Sequence, residues 1–206
     1  MRNHLSAPRP LLISAALVLA ASLSLGSSAT ASASPTDKLP PAARNNPHIS
    51  LDVIKSLPGT IQQDPDIYID PSITPGMPLV YSDTLTPVPG QSPSATAAAA
   101  DCGSQVAAPG TGLWYGPFRS NCGFIGGPGS TLTYRKYTDS SSNGDACWQG
   151  RGYNWLSPTN TYVEYWAGMG CIDGSYTVNW GNVASVPAAK VQSIRIPAGF
   201  AGAFKH

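Results

Sequence analysis

From residue 101 onward, turn-forming clusters interrupt the chain too often for a long helix to fit. Gly126-Gly127-Pro128-Gly129 and the stretch from Ser140 to Gly144 are two of them. Glycine supplies positive φ, proline presets φ and removes a donor, and Ser and Asn offer the backbone local hydrogen bonds. Between the clusters, apolar residues alternate. Thr131 to Tyr137 does so, and Ser175 to Trp180 sets Tyr176, Val178 and Trp180 on one face. In Val191 to Ile196, both Ile194 and Ile196 share a face with Gln192. Gly112 to Phe118 and the two arms of a hairpin from Ala146 to Cys171 bring the expected count to about six strands. Val183 to Val191 offers the one helical alternative, and Pro187 weakens it. The expected class is all-β, a compact antiparallel β-sandwich or barrel of about six strands.

The aromatic residues gather in the same region. Residues 101–206 hold all five Trp, all four Phe and all four Cys. A domain of this size buries one core. The cysteines, Cys102, Cys122, Cys147 and Cys171, are even in number and lack Cys-x-x-Cys spacing. Two disulfides are expected, Cys102–Cys122 and Cys147–Cys171 being the preferred pairs. Zinc is not expected, because His206 is the only histidine in the region.

The oxidising compartment follows from the other end of the chain. Arg2 and Arg9 form a positive region, Leu11 to Leu25 an apolar one, and Ala29-Thr30-Ala31 and Ala31-Ser32-Ala33 overlapping cleavage sites. Residues 1–33 therefore read as a secretory signal rather than a membrane span, which needs about 20 apolar residues. Leu57-Pro58-Gly59-Thr60 begins like a sortase signal, but Ile61 stands where glycine is needed. The expected location is secreted and extracellular, without a membrane anchor after cleavage.

Residues 34–100 are rich in Pro and Asp and contain no Cys, Trp or Phe. Recurrent proline bars long helices and interior strands. Such a segment is expected to be largely disordered, a linker or a propeptide, ending in a plain linker from Gln91 to Ala100. Ser50 to Leu57 could supply one or two helical turns, and Asp66-Ile67-Tyr68-Ile69-Asp70 alternates like a strand. The charges are mild. Six Asp against Lys38, Arg44 and Lys55 give residues 34–100 a net −3, and seven Lys/Arg against five acids give residues 101–206 a net +2. Neither implies nucleic acid as a partner.

The hairpin carries the candidate site. If Cys147 and Cys171 pair directly across antiparallel strands, paired numbers sum to 318. Trp148 then meets Gly170, Gly152 meets Trp166 and Asn154 meets Glu164. Trp148 and Trp166 share a face over glycines, bordered by Asn154, Glu164 and Tyr162. Flat indoles beside amide and carboxylate acceptors suit a sugar ring. The competing expectation is that these rings are core. The reading is a non-enzymatic, monomeric binding module for an extracellular glycan, using Trp148, Trp166, Tyr162, Glu164 and Asn154, without cofactor or metal.

Other chemistries are thinly supplied. Asp139, Ser141, Asn143 and Gly144 match the first half of an EF-hand loop, but Gly150 stands where its bidentate Glu belongs. Without histidine beyond His206, Ser–His and Cys–His nucleophile pairs are not expected in residues 101–206. Glycosidase chemistry would need a carboxylate pair drawn from Asp139, Asp145, Glu164 and Asp173, with Glu164, the chain's only Glu, the first choice. Trp148-Gln149-Gly150-Arg151 resembles a strand of the small secreted bacterial subtilisin-type protease inhibitors over four residues. Their proline beside a cysteine of the second disulfide is absent. An alternative partner is a secreted protein, met by a protease inhibitor or antagonistic toxin through Arg119 to Cys122 or Met169 to Ile172.

Overall fold

The computed structural model describes residues 39–140, 142 and 145–206; the expected secretory signal, residues 1–33, lies outside them. In chain order the elements are α1 (Pro41–Asn45), α2 (Leu51–Ser56), α3 (Gly59–Gln62), β1 (Tyr68–Ile69), β2 (Leu79–Tyr81) and α4 (Pro93–Ala98). Then come β3 (Gly103–Ala108), β4 (Trp114–Arg119), β5 (Gly123–Ile125), β6 (Thr131–Thr138), β7 (Ala146–Leu156) and β8 (Thr161–Gly170). The chain closes with β9 (Gly174–Asn179), β10 (Val183–Ser185), β11 (Ala188–Ser193) and β12 (Phe200–Lys205).

The all-β class holds, with twelve strands among the described residues instead of about six. Most alternating strands are where the pattern put them, but the expected strand Val191 to Ile196 is shifted: β11 ends at Ser193, and Ile194 and Ile196 lie beyond it, exposed. The strands the pattern missed, β2, β3, β5 and β12, are short or rich in Gly and Ala. The helical alternative at Val183 to Val191 is strand: β10, then β11 after Pro187. A sheet ordered β4-β11-β7-β8 faces a second ordered β3-β12-β6-β9. Between them lie Trp148, Met169 and Val191 from the first, and Val106, Leu132, Tyr134 and Phe204 from the second. The two disulfides are Cys102–Cys122 and Cys147–Cys171, as preferred.

The third sheet changes the account of the N-terminal segment. Its order is β1-β10-β5-β2. The antiparallel pair β10–β5 receives β1 along one edge and β2 along the other, both in parallel. Residues 39–100, expected to be largely disordered, therefore supply half a sheet and belong to the same compact unit as the rest. The apolar surface that prolines seemed to deny them is gathered locally. Ile54, Ile61, Ile67, Ile69, Ile73, Leu79 and Val88 form a second core with Ile125, Ala184 and Val186.

Side chains replace missing ladder bonds in this segment. Buried Asn46 accepts from the Ile69 amide at 2.7 Å and donates to the carbonyls of Ile67 and Ala42, both at 2.8 Å. Gln91 accepts from Leu79 N and donates to Leu79 O, each at 2.6 Å. Ser50 caps α2, and Ser92 caps α4 inside the stretch expected to be linker. Prolines sit at the first turns of α1 and α4, where no donor is missed.

Candidate functional site

The β7–β8 hairpin departs from the expected register by one residue. Trp148 pairs with Gly170, as the disulfide dictates, but Gln149 then pairs with Gly168. Met169 is the extra residue of a β-bulge. Gly170, at φ 75°, takes the left-handed conformation beside it. A one-residue slip moves every later side chain of one strand to the other face. Arg151 now pairs with Trp166, Tyr153 with Glu164, and Trp155 with Tyr162.

The expected two-tryptophan platform is therefore not assembled. Trp148 is 1% exposed and meets Phe200 edge to face at 5.5 Å. Trp166 lies on the opposite face, half-buried, with Lys190 Nζ 3.9 Å from its ring centre. Asn154 is exposed and accepts from Asn179 Nδ2 at 3.2 Å. The ring over Gly152 is Tyr165, since a Cβ there would lie 2.8 Å from it. An aromatic ring does cover this strand glycine; the bulge makes it Tyr165 instead of Trp166.

Glu164 turns to a buried polar cluster. Arg151, 6% exposed, donates from Nε to Glu164 Oε2 at 2.7 Å, and its terminal nitrogen lies 2.6 Å from the same oxygen. Its other terminal nitrogen donates to Val186 O at 3.0 Å and Ser185 Oγ at 3.2 Å, and stands 3.6 Å from Asp70 Oδ1. The Tyr153 hydroxyl donates to Asp70 Oδ2 at 3.0 Å. Burial alone would raise the Asp70 carboxyl; hydrogen bonds from Ser72 and Tyr153 and the Arg151 charge outweigh it and hold it below the usual range. Burial opposes the Arg151 charge, and Tyr153, Asp70 and Glu164 more than restore it. Burial pushes the Tyr153 hydroxyl well up. The cluster ties the N-terminal segment to β7, β8 and β10.

Beyond this cluster the tip of the hairpin forms one wall of a cleft of about 610 Å³. Trp155, 50% exposed, meets Tyr162 edge to face at 5.0 Å. Tyr162 lies 6.5 Å from Tyr68. Its hydroxyl accepts from the Asn182 amide at 2.9 Å, and its ring occupies the space a Cβ on Gly181 would need. Gly181 has φ 72°, a conformation that glycine adopts freely. Burial, and next the Asp70 charge, raise the Tyr68 hydroxyl. Asn45, Asp66, Asn160 and Thr161 add polar groups to the lining. Asn45 is fixed by its bond to the Pro65 carbonyl, and Asn160 closes the hairpin turn at φ 47°.

Of the five expected site residues, only Tyr162 lines this cleft. Trp155, Tyr68, Asp66, Asn160 and Asn182 were missed. The available signal was position: Trp155 sits at the hairpin tip, and Asp66 and Tyr68 belong to the one strand-like stretch of the N-terminal segment.

The remaining candidates are placed as follows. Ser141, Asn143 and Gly144 of the calcium-like loop lie outside the described residues, and Gly150 lies within β7. Among the described residues no cluster of three metal-binding side chains occurs, and no helix is long and apolar enough to cross a membrane. In the Arg119 to Cys122 loop, Ser120 and Cys122 are buried and the Ser120 amide donates to Pro187 O. In the Met169 to Ile172 loop, Met169 is buried and Ile172 is 83% exposed. In comparisons with known proteins, no family model, curated protein or solved structure matches the chain.

Proposed function

We propose that this chain is a secreted, extracellular, non-enzymatic module that binds a polysaccharide or cell-wall glycan in the Trp155–Tyr162–Tyr68 cleft. The observation that carries the proposal is Trp155. A half-exposed indole held by a cross-strand tyrosine, beside amide, hydroxyl and carboxylate groups, suits a ligand with one apolar face and a rim of hydroxyls. The two disulfides fit an oxidising, extracellular setting. The ion pair between Arg151 and Glu164 gives that carboxylate a structural use, which supports binding over catalysis. Pull-down of the purified protein on insoluble polysaccharides tests the proposal. Retention on at least one of them, lost in Trp155→Ala and kept in Trp166→Ala, is expected. No retention, or retention indifferent to Trp155→Ala, would overturn it.

A second reading, a protein-directed inhibitor, is favoured by Ile172 alone. Its side chain stands in water between Cys171, tied to Cys147, and Asp173, whose carboxylate accepts from Thr138 N and Oγ1 at 2.9 and 2.8 Å. A rigid exposed loop is what such an inhibitor needs. A flat result across a panel of secreted proteases would remove this reading.

A further inference from the structure

The Trp155 cleft is one end of a longer groove. A second hollow, of about 580 Å³, shares Ile67, Pro128 and Asn182 with it. A third, of about 360 Å³, joins the second at Asp83 and Pro128. The loop Gly126-Gly127-Pro128-Gly129 runs along all three, with Pro128 lining each. Asn182, 5% exposed, sits at the junction of the first two. Its amide nitrogen is bound by Tyr162 and its side chain donates to Asp64 Oδ2 at 3.2 Å. The junction is thus pinned from both sides. Each of the first two hollows alone has the volume of a site for a drug-sized ligand, so a single sugar ring leaves most of the groove empty.

Among the described residues, the charge along the groove has one sign. Asp66 lines the first hollow, Asp64 the second, and Asp83 the second and third; no described Lys or Arg lines any of them. The partners of these carboxylates are neutral. Asp64 accepts from Asn182 and the Asp66 amide, and Asp83 from the hydroxyls of Ser82 and Ser130. Among the described residues, the ion pairs recorded engage Asp70, Glu164 and Asp101. The groove carboxylates are available to a cationic ligand, while an anionic polymer would meet like charge.

Resting on the glycan reading above, we infer that the groove holds one linear glycan chain along its length, and that this glycan carries free amino groups. One sugar ring packs on Trp155, and units farther along the chain set their ammonium groups against Asp66, Asp64 and Asp83. Weak surface pairs of this kind, three together, are worth about a tenfold preference. They must weaken with salt, because the groove is open to water.

The test is calorimetric titration of the full chain with four probes: a β-1,4-linked glucosamine hexamer, its N-acetylated counterpart, a uronic acid hexamer and hexalysine. The glucosamine hexamer should bind about tenfold tighter than the N-acetylated one at low salt, and the uronic acid hexamer weakest. The gap should narrow as salt rises to 0.5 M. The dimer of glucosamine should bind far more weakly than the hexamer. In the Asp66→Asn/Asp83→Asn double variant the preference should fall to about twofold or less, with affinity for the N-acetylated hexamer kept. These are exposed positions, so folding is not at stake, and retained binding of that hexamer confirms it. Equal or tighter binding of the N-acetylated or uronic acid hexamer would overturn the amine preference while leaving the glycan reading in place. Equal binding of dimer and hexamer would overturn the extended groove. Hexalysine binding as tight as glucosamine hexamer, and indifferent to Trp155→Ala, would assign the groove to a cationic peptide instead. No binding of any sugar would sink the glycan reading itself.

Discussion

Replacing Arg151 by Met tests whether the buried polar cluster locks the N-terminal segment to the β-domain. Methionine is similar in length and apolar, so the substitution removes charge and donors with little change in bulk. The Val186 carbonyl loses its side-chain donor, and the Asp70 carboxylate, its side chain 11% exposed, stays buried with only Tyr153 and Ser72 as partners. Glu164, 36% exposed, can turn to water and adds little. Breaking one member out of a buried ion cluster typically costs about 3–5 kcal/mol, a large share of a total stability of about 5–15 kcal/mol. Asp70→Asn removes the stranded charge. The double variant Arg151→Met/Asp70→Asn should therefore be more stable than the two single losses summed, by about 1–3 kcal/mol. Urea unfolding followed by tryptophan fluorescence gives each midpoint and slope. A loss below about 1 kcal/mol for Arg151→Met, or strict additivity in the cycle, would refute the reasoning.

Three further outcomes follow from separate parts of the fold. Gly170→Ala should cost about 1–2 kcal/mol in unfolding free energy through its left-handed φ alone, since nothing stands near the added methyl. Gly168→Ala, equally open but without positive φ, should change little, and Gly152→Ala should cost more than either because Tyr165 and the Asn179 carbonyl crowd it. Burial lowers the His206 imidazole from 6.5 to about 3, against a raising hydrogen bond to Thr133. The unfolded chain thus takes up a proton below pH 6.5 that the folded one refuses until about pH 3, and stability should fall on acidification through that window by up to about 1.4 kcal/mol per pH unit. His206→Phe should flatten the decline in thermal or urea melts between pH 6.5 and 4. Asp70, held low by its partners, adds loss of the same sign below its ordinary value of 3.8. Cys147→Ser/Cys171→Ser opens a bridge spanning 24 residues and should cost about 3 kcal/mol by urea titration.

The strands legible in the sequence were those whose side chains alternate, most clearly β6, where one face is core and the other water. Strand β3 carries mainly Gly, Ala and small polar residues, and in β12 Gly and Ala fill the positions between Phe200 and Phe204, so the same physics left little pattern. The disulfides were legible from spacing and compartment. The register of β7 and β8 was legible only as far as Trp148. The bulge at Met169 depends on how well its side chain fits against Gly150, a tertiary fact. That single residue moved Glu164 from a surface platform to the Arg151 cluster. The N-terminal segment misled for another reason. Its composition resembles that of a disordered chain, but Asn46 and Gln91 complete backbone pairing with their side chains, which composition does not record.

The most direct test of the account is a two-dimensional NMR titration of the protein with the glucosamine hexamer. The account predicts that the Trp155 indole signal and the amides of Asn160, Thr161 and Asn182 shift together and saturate, while the Trp148 and Trp166 indoles stay in place. Saturable shifts centred on Trp166, or no shift at Trp155 with any glycan probe, would contradict it.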